Sequence, residues 1–504
     1  MRTQHQTLAQ SSIAPTLDAF PAVLVIITLI ICVVGALLVP EVILASGAAF
    51  AGYSALRFVI ASVANVYGRR RIRQDLQVDW VARYQAERTL QSLAWEQVQH
   101  VVIMPNYAET DETLIASLEN LAQVDFAREQ MIIVLAMESR EADCIAKAKR
   151  LQAQFAGCFA HIFYTLHPDG LPGEMRCKSA NQAWAARWIK HELVDLHGYN
   201  LDHIIVTTMD ADTIWHPRYF HALTYHFAIE QSRHQRIWQA PLRYHSNIYR
   251  INPLMRISNA YATAFELAYL AAPHWLTLPM SSYSLSLRML DSHGYWDTDV
   301  IADEWHTYIK AYFASNGQFK IVPIYLPFLV TAVNGKTLRE SIRNRYRQSL
   351  RHAWGTKEMT YTLLQMWQNP HTPLSRGMRL FMRVSHDILH AGVGWVFLTV
   401  GTQLPILLHP HLLDGGLLYP PFLIMNISFF LVFWLGVVFW WLDVDVRPKA
   451  NHRKVSREEW LYMLFSPVVL PLIALVFVSL PVLHAQFRLM IGHGLTFHVT
   501  QKDH

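Results

Sequence analysis

Residues 203–212 read His-Ile-Ile-Val-Thr-Thr-Met-Asp-Ala-Asp. Seven positions rich in apolar and β-branched residues predict a strand buried on both faces, as in a parallel sheet. The strand stops at Asp210-Ala211-Asp212. Working outward, the same pattern recurs. Residues 98–104 form a strand that ends at Pro105-Asn106-Tyr107-Ala108-Glu109. A helix over 110–123 follows, its acidic residues in the first turn, where the helix dipole favours them. Residues 131–137 are a second strand, ending at Glu138-Ser139-Arg140, and 160–164 a weaker third. Strands alternating with helices predict a largely parallel α/β sheet, with ligands bound beyond the carboxyl ends of its strands. The polar residues of interest lie at those ends.

On either side of this middle the composition changes. The chain has 504 residues, 52% hydrophobic and only 16% charged, with Lys+Arg 43 against Asp+Glu 38. That charged share is below the roughly 25% of soluble domains, and so apolar a chain is not disordered. Four cysteines in this length exclude a disulfide scaffold, none has metal-ligand spacing, and the 26 histidines are scattered. Residues 22–40 are long and apolar enough to cross a bilayer, and 42–66 form a second span interrupted by Arg57. A polar leader and the second span argue against a signal peptide. Arg69, Arg70, Arg71 and Arg73 follow, so this end is expected to be cytoplasmic, and with it the α/β domain. Residues 384–408 and 422–442 read as further spans, and the basic segment 447–454 as a return to the cytosol. The stretch 461–483, broken by Pro467, Pro471 and Pro481, fits one long span or two re-entrant helices. His386, Asp387 and His390 are the only notable polar cluster in these segments, and are read as interfacial. A transporter would need more spans and more polar groups at mid-membrane depth. The expected layout is 1–67, two transmembrane helices; 68–340, a cytosolic α/β domain; 341–380, amphipathic interface helices; and 381–504, three or four further spans with a short tail.

Four motifs carry chemistry. Asp210 and Asp212 can hold a hard cation such as Mg²⁺ together with phosphate oxygens, although such triplets are often solvated loop charges. Lys178, opening a helix against the dipole, is better explained by an anionic ligand than by structure. Asp303-Glu304 opens an amphipathic helix, as ordinary N-terminal charges do, yet a base for a hydroxyl proton would look the same. Gln348, Arg351 and His352 share one helical face, which alone would read as a membrane-surface helix.

In this order and between membrane helices, Pro105-Asn-Tyr107-x-Glu109, Lys178, Asp210-x-Asp212, the acidic pair and Gln348-x-x-Arg351 resemble the family 2 membrane glycosyltransferases, the cellulose, hyaluronan and chitin synthases and their non-processive relatives. The resemblance covers about residues 97–360. It implies a GT-A-type, Rossmann-like cytosolic domain inserted between transmembrane helices, in an integral protein of the inner or plasma membrane. It implies that Pro105, Tyr107, Glu109 and Glu138 line the nucleoside and that Lys178 lies near the diphosphate. Asp210 would contact nucleotide and metal, and Asp212 the metal, which is Mg²⁺ or Mn²⁺. Asp303 or Glu304 would be the base, Gln348 and Arg351 would close over the diphosphate, and Trp305, His352 and Trp354 would meet the acceptor. Three positions depart from the family pattern. Met137-Glu138 stands for Asp-Asp, Asp303-Glu304 reverses the usual order, and His352 replaces a tryptophan that recurs two residues later as Trp354. The expected activity is inverting transfer from a nucleoside diphosphate sugar, such as a UDP-sugar, to a saccharide, with polymerisation and export conceivable. A lipid-linked acceptor, or a catalytically silent nucleotide sensor, are the alternatives. The bilayer is a partner and nucleic acid is not.

Overall fold

The computed structural model describes residues 14–447 and 457–494, so the basic segment 447–454 lies almost wholly outside the described residues. Nine strands follow in chain order: β1 (Gln99–Asn106), β2 (Met131–Glu138), β3 (His161–His167), β4 (Ile204–Thr208), β5 (Arg236–Gln239), β6 (Leu242–Arg243), β7 (Tyr283–Ser286), β8 (Lys320–Pro323) and β9 (Phe328–Leu329). Seven form one sheet in the order β3-β2-β1-β4-β7-β5-β8, and β6 pairs with β9. All neighbours in the large sheet are parallel except β7, which runs antiparallel to both β4 and β5.

Side-chain alternation explains why these runs are so apolar. Val102, Met104, Ile133 and Leu135 fill one face, against the helices Asp111–Ala122, Cys144–Gln154 and Tyr219–Ile229. Val101, Ile103, Ile132 and Val134 fill the other, against Lys178–Ile189 and Asp303–Ala314. A strand with both faces covered has no polar side, hence the unbroken hydrophobic run.

The end of β1 differs from the sequence reading. Pro105 does not end β1, because it pairs in register with Ala136 and Asn106 with Met137. Pairing with β4 has already stopped at Ile103. Pro105 is therefore flanked on one side only, where a missing N–H is tolerated as on an edge.

Among the described residues, five helices are long and apolar enough to cross a membrane: Ala14–Leu38, Pro40–Asp75, Leu374–Leu408, Pro420–Val446 and Leu464–Met490. The second carries on through its arginines, so the expected boundary at 67/68 falls inside a helix, as does that at 380/381. The stretch around Pro467, Pro471 and Pro481 is one continuous helical path. It passes through a wider π-type turn, Leu475–Ser479, one way a helix absorbs prolines. Arg57, the interruption in the second span, pairs with Asp387 at 3.2 Å, and Arg383 meets the same carboxylate at 2.6 Å. The helix Pro253–Ala271 joins lobe and membrane helices, its Tyr261 and Ala264 packing with Ala61, Ala64, Phe439 and Trp440.

Candidate active site

The carboxyl ends of β1, β2 and β4 open onto one edge of the sheet. At the end of β4, Lys178 Nζ donates to Asp210 Oδ1 at 2.7 Å and to the Ser281 carbonyl at 3.1 Å. Ser281 Oγ donates to the other Asp210 oxygen at 2.7 Å, and the Asp210 N–H donates to Ser282 Oγ at 3.1 Å. Asp212 Oδ2 accepts from the Thr331 N–H at 2.8 Å. Ser281 holds φ +49, a left-handed conformation unusual for a residue with a Cβ. That strain lets consecutive serines grip both the side chain and the backbone of Asp210.

Two hydrogen bonds bring the distant acid pair to the same place. The Met175 N–H donates to the Thr298 carbonyl at 2.9 Å, and Ser179 Oγ donates to the Val300 carbonyl at 2.8 Å. They tie the loop before Asp303 to the turn where Lys178 begins its helix. Burial alone would lower the Lys178 pKa. The Asp210, Asp303 and Glu304 carboxylates outweigh it and hold the ammonium above the ordinary lysine range. The converse holds for the acids. Burial raises both, Lys178 draws them back down, and Asp210 adds repulsion to each. Asp303 also pushes Glu304 up. Asp303 is buried, and among the described residues its Oδ2 has no hydrogen-bond partner. Glu304, beside it, is half-exposed.

The residues expected to line the nucleoside sit at the ends of β1 and β2. The Arg140 guanidinium lies 3.8 Å from the centre of the Tyr107 ring and 3.3 Å from Glu138. Glu138 also meets His167 at 3.4 Å, and His167 meets Glu174 at 2.9 Å. Ala108, at φ +58, donates its N–H to Glu141, and the Glu109 carbonyl accepts from Lys147. The loop 106–109 is therefore held by Glu141, from the loop after β2, and by Lys147, from the helix Cys144–Gln154.

The end of the helix Leu338–Ala353 packs beside the loop that precedes the acid pair, with Leu350, Ala353 and Trp354 clustered near Ile301. A Cβ on Gly355 would lie 3.7 Å from the Ala302 Cβ. Gln348 is buried and accepts from Arg345 Nη1 at 2.7 Å. His352 is exposed, Trp354 is buried with Leu350, Ala353 and Ala485, and Trp305 packs against the apolar layer of its own helix.

Several residues at the site carry no sequence signal. Ser281, Ser282 and Thr331 look like ordinary loop residues, and the Glu266–Tyr244 pair (3.0 Å) sits in unremarkable segments. Tyr244 is close enough to Arg345 and Asp210 to feel both charges, and burial raises the Glu266 carboxyl to about 8. Arg345 could have been found, since it lies three residues before Gln348 on the same helical face.

No cluster of three or more His, Cys, Asp or Glu side chains able to hold a metal ion occurs among the described residues. Two neighbouring carboxylates do suit a hard cation that takes its remaining ligands from phosphate oxygens and water. The donor set of Asp210 and Asp212 fits a shared ion of that kind.

No protein-family model and no curated protein matches the chain. Among solved structures, it is similar to the mannosyltransferase PcManGT from Pyrobaculum calidifontis, in complex with GDP-Man and Mn²⁺. The TM-score is 0.40 at 15% identity, over 77% of this chain and 98% of that one. It is also similar to S. aureus TarS 1–349, with TM-score 0.30 at 10% identity over 79% and 92%. Similarities this distant bear on neither substrate nor mechanism.

Proposed function

We propose that this chain is a membrane-embedded glycosyltransferase that transfers a sugar, with inversion, from a nucleoside diphosphate donor to a saccharide acceptor. The observation that carries the reading is the convergence of Lys178, Asp210, Asp303 and Glu304 at the carboxyl end of β4. The order of motifs along the sequence supports it, and the arginines Arg69 to Arg73 support a cytoplasmic lobe.

Glu304, the more open of the coupled pair, takes the proton from the acceptor hydroxyl. Asp303 and burial raise its basicity, as suits a general base. The oxygen attacks the anomeric carbon from the face opposite the diphosphate, so the configuration inverts. Lys178 and Arg351 place positive charge where the leaving group becomes more negative. A divalent cation, when bound by Asp210, Asp212 and the diphosphate, supplies further neutralisation of that charge. Gln348 and Arg345, linked on one helix, cover the site and limit access of water, which would otherwise hydrolyse the donor.

Nucleoside diphosphate release by the purified full chain, with donor sugars screened in Mg²⁺ or Mn²⁺, tests the reading. Release that E304Q abolishes supports transfer. Nucleotide binding without release in the wild type would instead favour the silent sensor. Product size then separates a growing saccharide from a single addition to a lipid.

A further inference from the structure

On the far side of the lobe, away from the strand ends that form the candidate site, lies a cleft of about 560 Å³. That volume is within the range of small-ligand sites, ~300–1,000 Å³. Its cations come from two bodies. Arg236 begins β5 and Lys320 begins β8, at the open edge of the sheet, whereas Arg376 and Arg379 lie in the first turns of the helix Leu374–Ala391. No carboxylate lines the cleft. Arg236 reaches Glu230 at 3.4 Å, but among the described residues no acidic side chain pairs with Lys320, Arg376 or Arg379.

The arginines are held in place. Arg376 Nη1 donates to the Asn316 carbonyl at 3.0 Å, and Arg379 Nη2 donates to the His274 carbonyl at 3.2 Å. Tyr312 OH donates to the Arg376 carbonyl at 3.2 Å. Gly317, at φ +74, makes room for Arg376, since a Cβ there would lie 2.8 Å from Arg376 Cδ. Like charges held this close repel one another unless an anion sits among them.

The position of the cleft selects the anion. Leu374–Leu408 is long and apolar enough to cross a bilayer, and the cleft opens at its first turns. Leu374, Met378 and Met382, spaced four apart on that helix, are all exposed. A helix start that offers an apolar stripe beside arginines lies at the depth of lipid headgroups.

We propose that this cleft binds the phosphate of an anionic lipid headgroup, which bridges Lys320 and Arg236 of the sheet to Arg376 and Arg379 of the membrane helix. The bridge bears on the candidate site through one element. Tyr312 and Phe313, which hydrogen-bond to Arg376 and Thr372, lie in the last turn of the helix that begins at Asp303. The proposal does not depend on the glycosyltransferase reading.

The test reconstitutes the full chain in phosphatidylcholine nanodiscs, with or without phosphatidylglycerol, and measures thermal unfolding. Phosphatidylglycerol is expected to raise the wild-type midpoint by several degrees. K320Q and R376Q/R379Q should lose more than half of that rise, whereas R70Q/R73Q, exposed cations on another membrane helix, should keep it. K320Q is the decisive variant, since among the described residues the exposed Lys320 side chain makes no hydrogen bond that folding would miss. No rise in the wild type, or an equal loss in R70Q/R73Q, overturns the proposal. So does an equal, variant-sensitive rise from inorganic phosphate in pure phosphatidylcholine, because free phosphate would then be the ligand.

Discussion

His306 lies one turn beyond the acid pair, buried between two carboxylates. Its Nε2 is 3.0 Å from Asp297 and its Nδ1 3.0 Å from Glu358, and its ring stacks on Tyr361 at 3.7 Å. Lys310 reaches Asp297 at 2.8 Å. The cluster fastens the helix that carries Asp303 and Glu304 to the preceding loop and to the helix Lys357–Gln368. Burial alone would lower the His306 pKa, but Glu358 and Asp297 outweigh it and raise it to about 10. The same contacts hold Asp297 well below the usual carboxylate range, against the effect of its burial.

Replacing His306 by Gln keeps polar contact and removes the charge. From 6.5 to about 10, the rise corresponds to roughly 5 kcal/mol at about 1.4 kcal/mol per tenfold change. Removing one partner of a buried ion pair costs about 3–5 kcal/mol, so the two estimates agree. For a lobe of this size, that lowers the unfolding midpoint by on the order of 10 °C. The sign with pH is fixed by linkage. A histidine whose pKa rises on folding stabilises fully below its unfolded value, 6.5. That contribution is lost as pH rises through about 10. The assay is tryptophan fluorescence during thermal unfolding of the full chain in detergent, from neutral to alkaline pH. The difference between wild type and H306Q isolates this group from lysines and tyrosines that titrate in both. A difference that is small at neutral pH, or that does not shrink on the alkaline side, refutes the reasoning.

Three further outcomes follow from the candidate site. E304Q should lose transfer by about 10²–10⁴-fold, the usual worth of a positioned general base, while its unfolding midpoint should not fall, since burial already makes the Glu304 charge costly to the fold. Because burial and repulsion from neighbouring carboxylates raise the acid pair, wild-type activity should climb with pH above the ordinary carboxylate range, and K178M, which removes the cation drawing the pair down, should move that limb to higher pH. A pH profile identical in wild type and K178M would place Lys178 outside the pair's field. Chelation by EDTA should stop nucleoside diphosphate release, with recovery on adding Mg²⁺ or Mn²⁺, while D212N should not recover; persistent release in EDTA would remove the cation from the scheme.

What the sequence made legible follows from how each feature is encoded. β2 is a continuous apolar run because both of its faces are covered, so local composition reports it directly. Lys178 stands out because a cation at a helix start opposes the dipole, a conflict visible within a few residues. The grip of Ser281 and Ser282 on Asp210 is different, since it arises from a left-handed residue some seventy positions away that no spacing announces. His306 and Glu358 likewise meet across a separation of 52 positions and belong to different helices. Periodicity finds elements and short motifs find strand ends, but contacts closed by tertiary packing have no local signature.

The charge balance of the site gives these contacts a common meaning. Asp210, Asp303 and Glu304 face one lysine, and burial raises the carboxyls of Asp303 and Glu304. An anionic donor entering such a pocket would add repulsion, so the protein must provide cations that arrive with it or close over it. The Asp210–Asp212 pair suits the first requirement, since a hard ion would bind carboxylates and phosphates together. The Arg345–Gln348–Arg351 face would suit the second, because it is carried by the helix Leu338–Ala353, an element separate from the sheet. On the proposed reading, a site built this way would resist nucleotide alone and accept it together with a cation. The base would then be poised only when all three parts are present, which is the condition for favouring the acceptor over water.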